Sequence, residues 1–89
     1  MGYRVVVERR ALKELARLPW RDQERIEAAI DDLANDSRPH GCQPVKTGDP
    51  GTYRVRVGKY RIVYTILDAE QVTTVARVVR RREGTYKRL

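Results

Sequence analysis

The sequence predicts an α+β sandwich: an N-terminal strand, a hairpin of two helices, and a three-stranded antiparallel meander, with both helices packed on one face of the sheet. Three observations carry this. Two consecutive segments repeat their apolar residues at spacings of three and four, the helical period. Tyr53 to Tyr64, YRVRVGKYRIVY, alternates apolar and polar residues on both sides of Gly58-Lys59, as two strands joined by a tight turn do. A third β-patterned run, Val72 to Val79, is reached through Asp68-Ala69-Glu70-Gln71. Each helix has a single apolar stripe to bury, so the helices cover one sheet face and the other is left to the arginines.

Taken in order, Tyr3 to Glu8 is short and valine-rich, a first strand. From about Arg10 the residues Ala11, Leu12, Leu15 and Leu18 form a helical stripe, which Pro19 closes. A second helix opens near Pro19 or Asp22, with Ile26, Ala29, Ile30 and Leu33 inside and Glu24, Arg25, Glu27 and Asp31 outside. Trp20, at the junction, is expected to pack as a staple over that helix, base stacking being the alternative. Asn35 to Gly51 holds three prolines and three glycines and reads as a loop without regular structure. In the hairpin a two-residue loop makes Val57 face Tyr60, so Arg56 falls opposite Arg61 and Arg54 opposite Val63. Tyr53, Val55, Val57, Tyr60, Ile62 and Tyr64 share the other, core-directed face. Like charges across a ladder are destabilising unless something anionic lies between them. A solvated edge whose arginines keep the sheet soluble is the plain alternative.

The 89 residues make one domain, 1–89, with room for a single core. The net charge of +7 resides in the second half: residues 1–45 hold eight basic and eight acidic side chains, residues 46–89 eleven and four. Such segregation points to a phosphate-binding surface, with anionic membrane and acidic protein also open as partners. No apolar run reaches the roughly 18–20 residues of a membrane span and the first residues lack the apolar stretch of a signal peptide, so a cytoplasmic location is expected. Cys42 is the single cysteine and His40 the single histidine, which leaves a zinc site short of ligands and assigns both residues structural or incidental roles. Without a carboxylate pair or second histidine, neither a metal cofactor nor any other is expected.

The tail adds Arg80, Arg81, Arg82, Lys87 and Arg88 against Glu83, with Tyr86 among them. An aromatic ring in a basic run can stack on an unpaired base while the cations hold the backbone, and such runs also occur as solvated ends.

The strand-helix-helix-strand-strand-strand order and the phrase Tyr53-Arg54-Val55-Arg56-Val57-Gly58-Lys59-Tyr60-Arg61-Ile62-Val63-Tyr64 resemble the RelE group of the RelE/ParE toxin superfamily. So do Arg81-Arg82-Glu83-Gly84-Thr85-Tyr86, the opening Arg10-Ala11-Leu12-Lys13-Glu14-Leu15 with Leu18-Pro19, and the loop Arg38-Pro39-His40-Gly41-Cys42. The resemblance spans nearly the whole chain. It implies a type II toxin of a bacterium or archaeon that cleaves messenger RNA on the ribosome, in contact with 16S rRNA, and is held inactive by a cognate antitoxin in a hetero-oligomer. The family's basic strand positions fall on Arg54 and Arg56, its next arginine on Arg61, and its closing basic residue and tyrosine on Arg81 and Tyr86, with Arg82 one residue along. Catalysis is thus expected from Arg61, Arg81, Tyr86 and Arg56, and RNA contacts from Arg54, Lys59, Lys46, Arg82, Arg80 and Lys87. The superfamily also implies two other outcomes, a ParE-like inhibitor of DNA gyrase and a non-catalytic RNA-binding or inactivated toxin.

The residue types suit RNA cleavage without metal, in which the 2′-oxygen attacks the adjacent phosphorus. That path needs a proton acceptor, stabilisation of a phosphorane and a proton donor for the leaving oxygen. Arginines on rigid strands meet the second need, because a planar fork binds two phosphate oxygens together. Two departures from the family pattern concern the first and third. Many relatives carry His-Arg before the closing tyrosine where this chain has Arg81-Arg82, and some carry lysines where it has Arg54 and Arg56. Arginine is a poor base, so Lys46, Lys59 and Tyr86 stand as candidates for proton transfer. A third departure is Gln43-Pro44-Val45-Lys46, where relatives commonly show Lys-Leu.

Overall fold

The computed structural model describes residues 2–46 and 49–81. In chain order these form β1 (Arg4–Val7), α1 (Arg9–Ala16), α2 (Trp20–Asp32), β2 (Gln43–Pro44), β3 (Thr52–Val57), β4 (Tyr60–Leu67) and β5 (Val72–Arg80). The strands make one sheet in the order β1-β5-β4-β3-β2. The meander β3-β4-β5 is antiparallel throughout, and β1 lies parallel against β5, so β4 and β5 become interior strands. On β4, buried residues alternate with half-buried ones along its whole length bar the last residue.

The register of the β3–β4 hairpin follows from its two-residue loop: Val57 pairs with Tyr60, Arg56 with Arg61 and Arg54 with Val63. Gly58 adopts φ +58°, which the first central position of this kind of hairpin turn requires. A Cβ there would also come within 2.9 Å of an Arg25 guanidinium nitrogen.

The core lies between the helices and one sheet face. Ala11 and Leu15 of α1 and Ile26, Ile30 and Leu33 from α2 and its C-cap meet Tyr60, Ile62, Tyr64, Ile66, Val75 and Val78. Each fully buried side chain of this size contributes about 1.5–3 kcal/mol. Leu12 departs from the expected stripe and is 51% exposed, because the short α1 turns only Ala11 and Leu15 to the sheet. The Trp20 expectation is also corrected. Trp20 is 63% exposed with the Arg21 guanidinium 5.5 Å from its ring centre. It stands six residues before Ile26, about 120° around the helix from the buried stripe.

Two further features lie outside the sequence reading. The segment taken as an irregular loop contains β2, which pairs Gln43 with Arg54 and Pro44 with Tyr53. Proline has no N–H to donate, which suits it to this edge position and keeps the strand short. In β5 the register shifts, with Val63 opposite Arg77 but Tyr64 opposite Val75, so Ala76 bulges. The bulge lets Val75 and Val78, three residues apart, both enter the core. Beyond the end of β1, Glu14 closes the edge of β5, accepting from the Val78 N–H at 2.8 Å and the Arg77 guanidinium at 2.8 and 2.9 Å.

Candidate functional site

Strand alternation carries Arg54, Arg56 and Arg61 onto the sheet face away from the helices. Arg56 and Arg61 sit directly opposite, next to the pair that closes the turn, where side chains of an antiparallel ladder approach most closely. Arg61 also pairs with Val79 of β5, which places Arg81, two residues on, on the same face. The Arg81 backbone N–H donates to the Lys59 carbonyl at 2.7 Å, and its guanidinium reaches the Gly58 carbonyl at 3.5 Å. Its Nε is shielded from water and has no acceptor among the described residues. Within those residues the ion pairs are Arg10–Glu14, Arg38–Asp68 and Arg77–Glu14, so Arg54, Arg56, Arg61 and Arg81 have no carboxylate partner. An anion bound here meets guanidiniums not already neutralised.

A cleft of about 350 Å³ opens on this face, lined by His40, Gly41, Gln43, Arg54, Val55, Arg56 and Arg61. Its far wall is the loop before β2, which long-range contacts hold against the sheet. Gln43 Oε1 accepts from Arg54 at 3.1 Å and so aims that arginine along the wall. Arg38 forks onto the Asp68 carboxylate at 3.2 and 2.8 Å, donates to the Tyr53 hydroxyl at 3.2 Å, and stacks over the Tyr53 ring at 5.2 Å. The Tyr3 hydroxyl donates to the same carboxylate at 2.6 Å. The Arg38 and Tyr3 hydrogen bonds hold the Asp68 carboxyl below the usual range. One residue earlier, the Ser37 hydroxyl donates to the Leu33 carbonyl at 2.8 Å and lies 2.6 Å from the Thr73 hydroxyl. The Ser37 carbonyl accepts from Tyr64 at 2.9 Å, and burial raises the Tyr64 phenol well above its ordinary value.

The structure therefore brings Arg54, Arg56 and Arg61 together on one cleft, sets Arg81 on the same face beside the hairpin turn but outside the cleft lining, and separates other predicted residues from them. Lys59 forms the exposed tip of the hairpin beside Arg81. Lys46 lies past β2, near Thr52, at the opposite end of β3 from that tip and outside the cleft wall. Arg80 pairs with the buried Tyr60 and so belongs to the helix-covered face, where Tyr60 donates to Asp22 at 3.0 Å. Arg82, Tyr86 and Lys87 lie outside the described residues. The sequence reading missed His40 and Gln43 as members of the cleft. Their signal was their place in a loop of turn residues directly before the basic hairpin.

Over residues 5–84 the chain matches the family described as ParE toxin of type II toxin-antitoxin system, parDE. A protein of Methanocaldococcus jannaschii named as a RelE1 toxin is 33% identical over 89 residues, covering 98% of each chain. Among solved structures, a chain of the archaeal RelE-RelB complex from Pyrococcus horikoshii superposes with a TM-score of 0.82 at 25% identity, over 93% of this chain and 99% of that one. A chain of the toxin-antitoxin complex RelBE2 from Mycobacterium tuberculosis gives 0.80 at 27% identity, over 91% and 100%. The chain belongs to the RelE/ParE superfamily of type II toxins, and its fold is that of the RelE toxins.

Proposed function

We propose that the protein is a RelE-type endoribonuclease that acts in the cytoplasm, cuts messenger RNA on the ribosome without metal, and is held inactive by a cognate antitoxin. The observation that carries this is the convergence of Arg54, Arg56 and Arg61 on one cleft, with no carboxylate partner among the described residues. Arg54 and Arg56 position the RNA backbone. Arg61 and Arg81 stabilise the extra charge of the phosphorane as the 2′-oxygen attacks, a role worth several kcal/mol for a fixed donor. Tyr86 stacks on a base or orients the scissile phosphate, and Lys59 at the hairpin tip and the tail cations hold flanking phosphates or 16S rRNA. The antitoxin part is supported by the toxin-antitoxin complexes among the structural relatives. An exposed face of this charge fits a partner segment that is acidic and apolar and folds on contact.

The match to the ParE toxin family favours a second reading, the ParE-like one, for which the resemblance implies inhibition of DNA gyrase. Primer extension on messenger RNA after brief expression, run beside a gyrase supercoiling assay, separates the readings. Discrete new 5′ ends with unchanged supercoiling support the endoribonuclease. Lost supercoiling without cleavage supports gyrase inhibition, and RNA binding with neither effect identifies a non-catalytic domain.

A further inference from the structure

We propose that His40 is the proton acceptor of the cationic cleft, an assignment that rests on the RNA-cutting reading above. The cleft's lining supplies the argument by elimination. Of His40, Gly41, Gln43, Arg54, Val55, Arg56 and Arg61, the arginines are donors only and the Gln43 amide is not a base. Among the described residues, Lys46 and Lys59 lie outside the cleft lining and no lining residue is acidic, while Tyr86 lies outside the described residues. His40 is the sole histidine of the chain, and it lines the cleft together with the paired arginines. Imidazole is the side chain best suited to exchanging a proton near neutral pH.

The local backbone presents this imidazole. The Cys42 N–H donates to the Pro39 carbonyl at 3.0 Å, closing a four-residue turn with His40 second and Gly41 third. Gly41 has φ +92°, the value a type II turn demands at its third position and one that favours glycine. On the N-terminal side of the turn, Arg38 is tied to Asp68 and Tyr53. On the other side β2 pairs with β3. The apex is thus fixed at both feet, and its side chain is exposed, with no hydrogen bond or ion pair among the described residues. This supplies the acceptor that Arg81-Arg82 withholds. In the step, the 2′-oxygen forms a bond to phosphorus as its proton passes to the imidazole. The bond from phosphorus to the 5′-oxygen breaks, that oxygen takes a proton from water, and the imidazolium returns its own to solvent.

The test compares wild type, His40→Ala, His40→Gln and Arg61→Ala in single-turnover cleavage of a short messenger, free and on purified ribosomes. Thermal melting verifies that all are folded. Both His40 variants should cut about 10²- to 10⁴-fold more slowly. They should bind a messenger carrying 2′-deoxyribose at the scissile position within about twofold of wild type, as expected where chemistry and not binding is lost. Added imidazole should restore part of the His40→Ala rate. A messenger with sulfur as the leaving atom, which needs no proton, should leave the defect in place, whereas a proton donor would show its defect disappear. Cleavage by His40→Ala within about threefold of wild type, or a rate loss matched by lost affinity and untouched by imidazole, overturns the assignment. If wild type itself cuts no RNA, the RNA-cutting reading fails first and the His40 role falls with it. If wild type cuts and only Arg61→Ala is impaired, the reading stands and His40 alone is overturned.

Discussion

Replacing Arg61 should have effects of opposite sign on stability and on activity. Arg61 and Arg56 are directly opposed on β4 and β3, and neither has a carboxylate partner among the described residues. Opposed like charges cost about 0.2–1 kcal/mol relative to a neutral pair. Threonine suits a strand, so Arg61→Thr keeps the ladder while removing the repulsion. A gain of about 0.5 kcal/mol corresponds to a Tm rise of about 2–4 °C for a domain of this size. Salt screens exposed charges, so the rise should shrink between low and high ionic strength. Activity should fall by about 10²–10³, the loss typical of one fixed donor to a developing oxyanion. Arg61→Lys should recover only part, since a point charge does not replace a two-pronged fork. The assays are thermal melting at two salt concentrations and growth arrest at matched protein levels. A variant that melts lower at both salts, or one as toxic as wild type, refutes the corresponding half of the reasoning.

Tyr64→Phe leaves the Ser37 carbonyl without its donor in a buried site and should lower stability by about 1 kcal/mol, seen as a Tm lower by about 4–8 °C. At Glu14, burial pushes the carboxyl up, but the hydrogen bonds from Arg77 and Val78 and the Arg77 charge outweigh it and hold the group below its ordinary 4.5. The unfolded chain therefore binds this proton first as pH falls. Glu14's contribution is full above the ordinary glutamate range and is lost below it, so Glu14→Gln should flatten the acid limb of a stability-against-pH curve. Asp68→Asn weakens the Arg38 fork that positions the cleft wall and should reduce cleavage on the order of tenfold with the fold retained by circular dichroism. Reversing charge at Arg56 and Arg81 together should slow antitoxin association in stopped-flow at low salt. Unchanged association would move the antitoxin's contact to the helical side, from Arg10 to Leu33.

The hairpin was legible because a period of two and a two-residue loop leave one register open, and that register decides which arginines share a face. The meander and the helical stripes were legible for the same reason: each is a local pattern. What stayed hidden depends on contacts far apart in sequence. Arg38 and Asp68 are thirty residues apart and Ser37 and Thr73 thirty-six, and nothing in Asn35 to Gly51 announces that its first half is tied down at those points. The strand β2 was missed because two residues, one of them proline, carry no period. The bulge at Ala76 was missed because β-branched residues on both of its sides satisfy either register. The candidate site divides along the same line. Its arginines could be named from the ladder alone. Its imidazole could not, because His40 enters the cleft only through a loop fixed by distant partners.

That division bears on how the site holds its shape. A face of opposed cations resists being assembled, and the side chains on it contribute little to holding it together. Its rigidity has to come from the other side of the sheet, where Tyr60, Ile62 and Tyr64 are buried on the same strand that displays Arg61. Because successive residues of a strand point to opposite faces, each buried side chain of β4 fixes the position of the neighbour that faces the cleft. The loop wall has no such backing and depends on Arg38, Ser37 and Gln43 instead. Core substitutions on β4 should therefore lower stability and activity together, whereas substitutions at the exposed loop anchors Arg38 and Asp68 should lower activity with only a small change in Tm. Measuring both quantities for Ile62→Val and for Asp68→Asn tests this directly. Ile62→Val should cost about 0.5–1.5 kcal/mol in the melt. If Asp68→Asn instead loses more stability than Ile62→Val, the loop belongs to the folding core and is not a separately held wall.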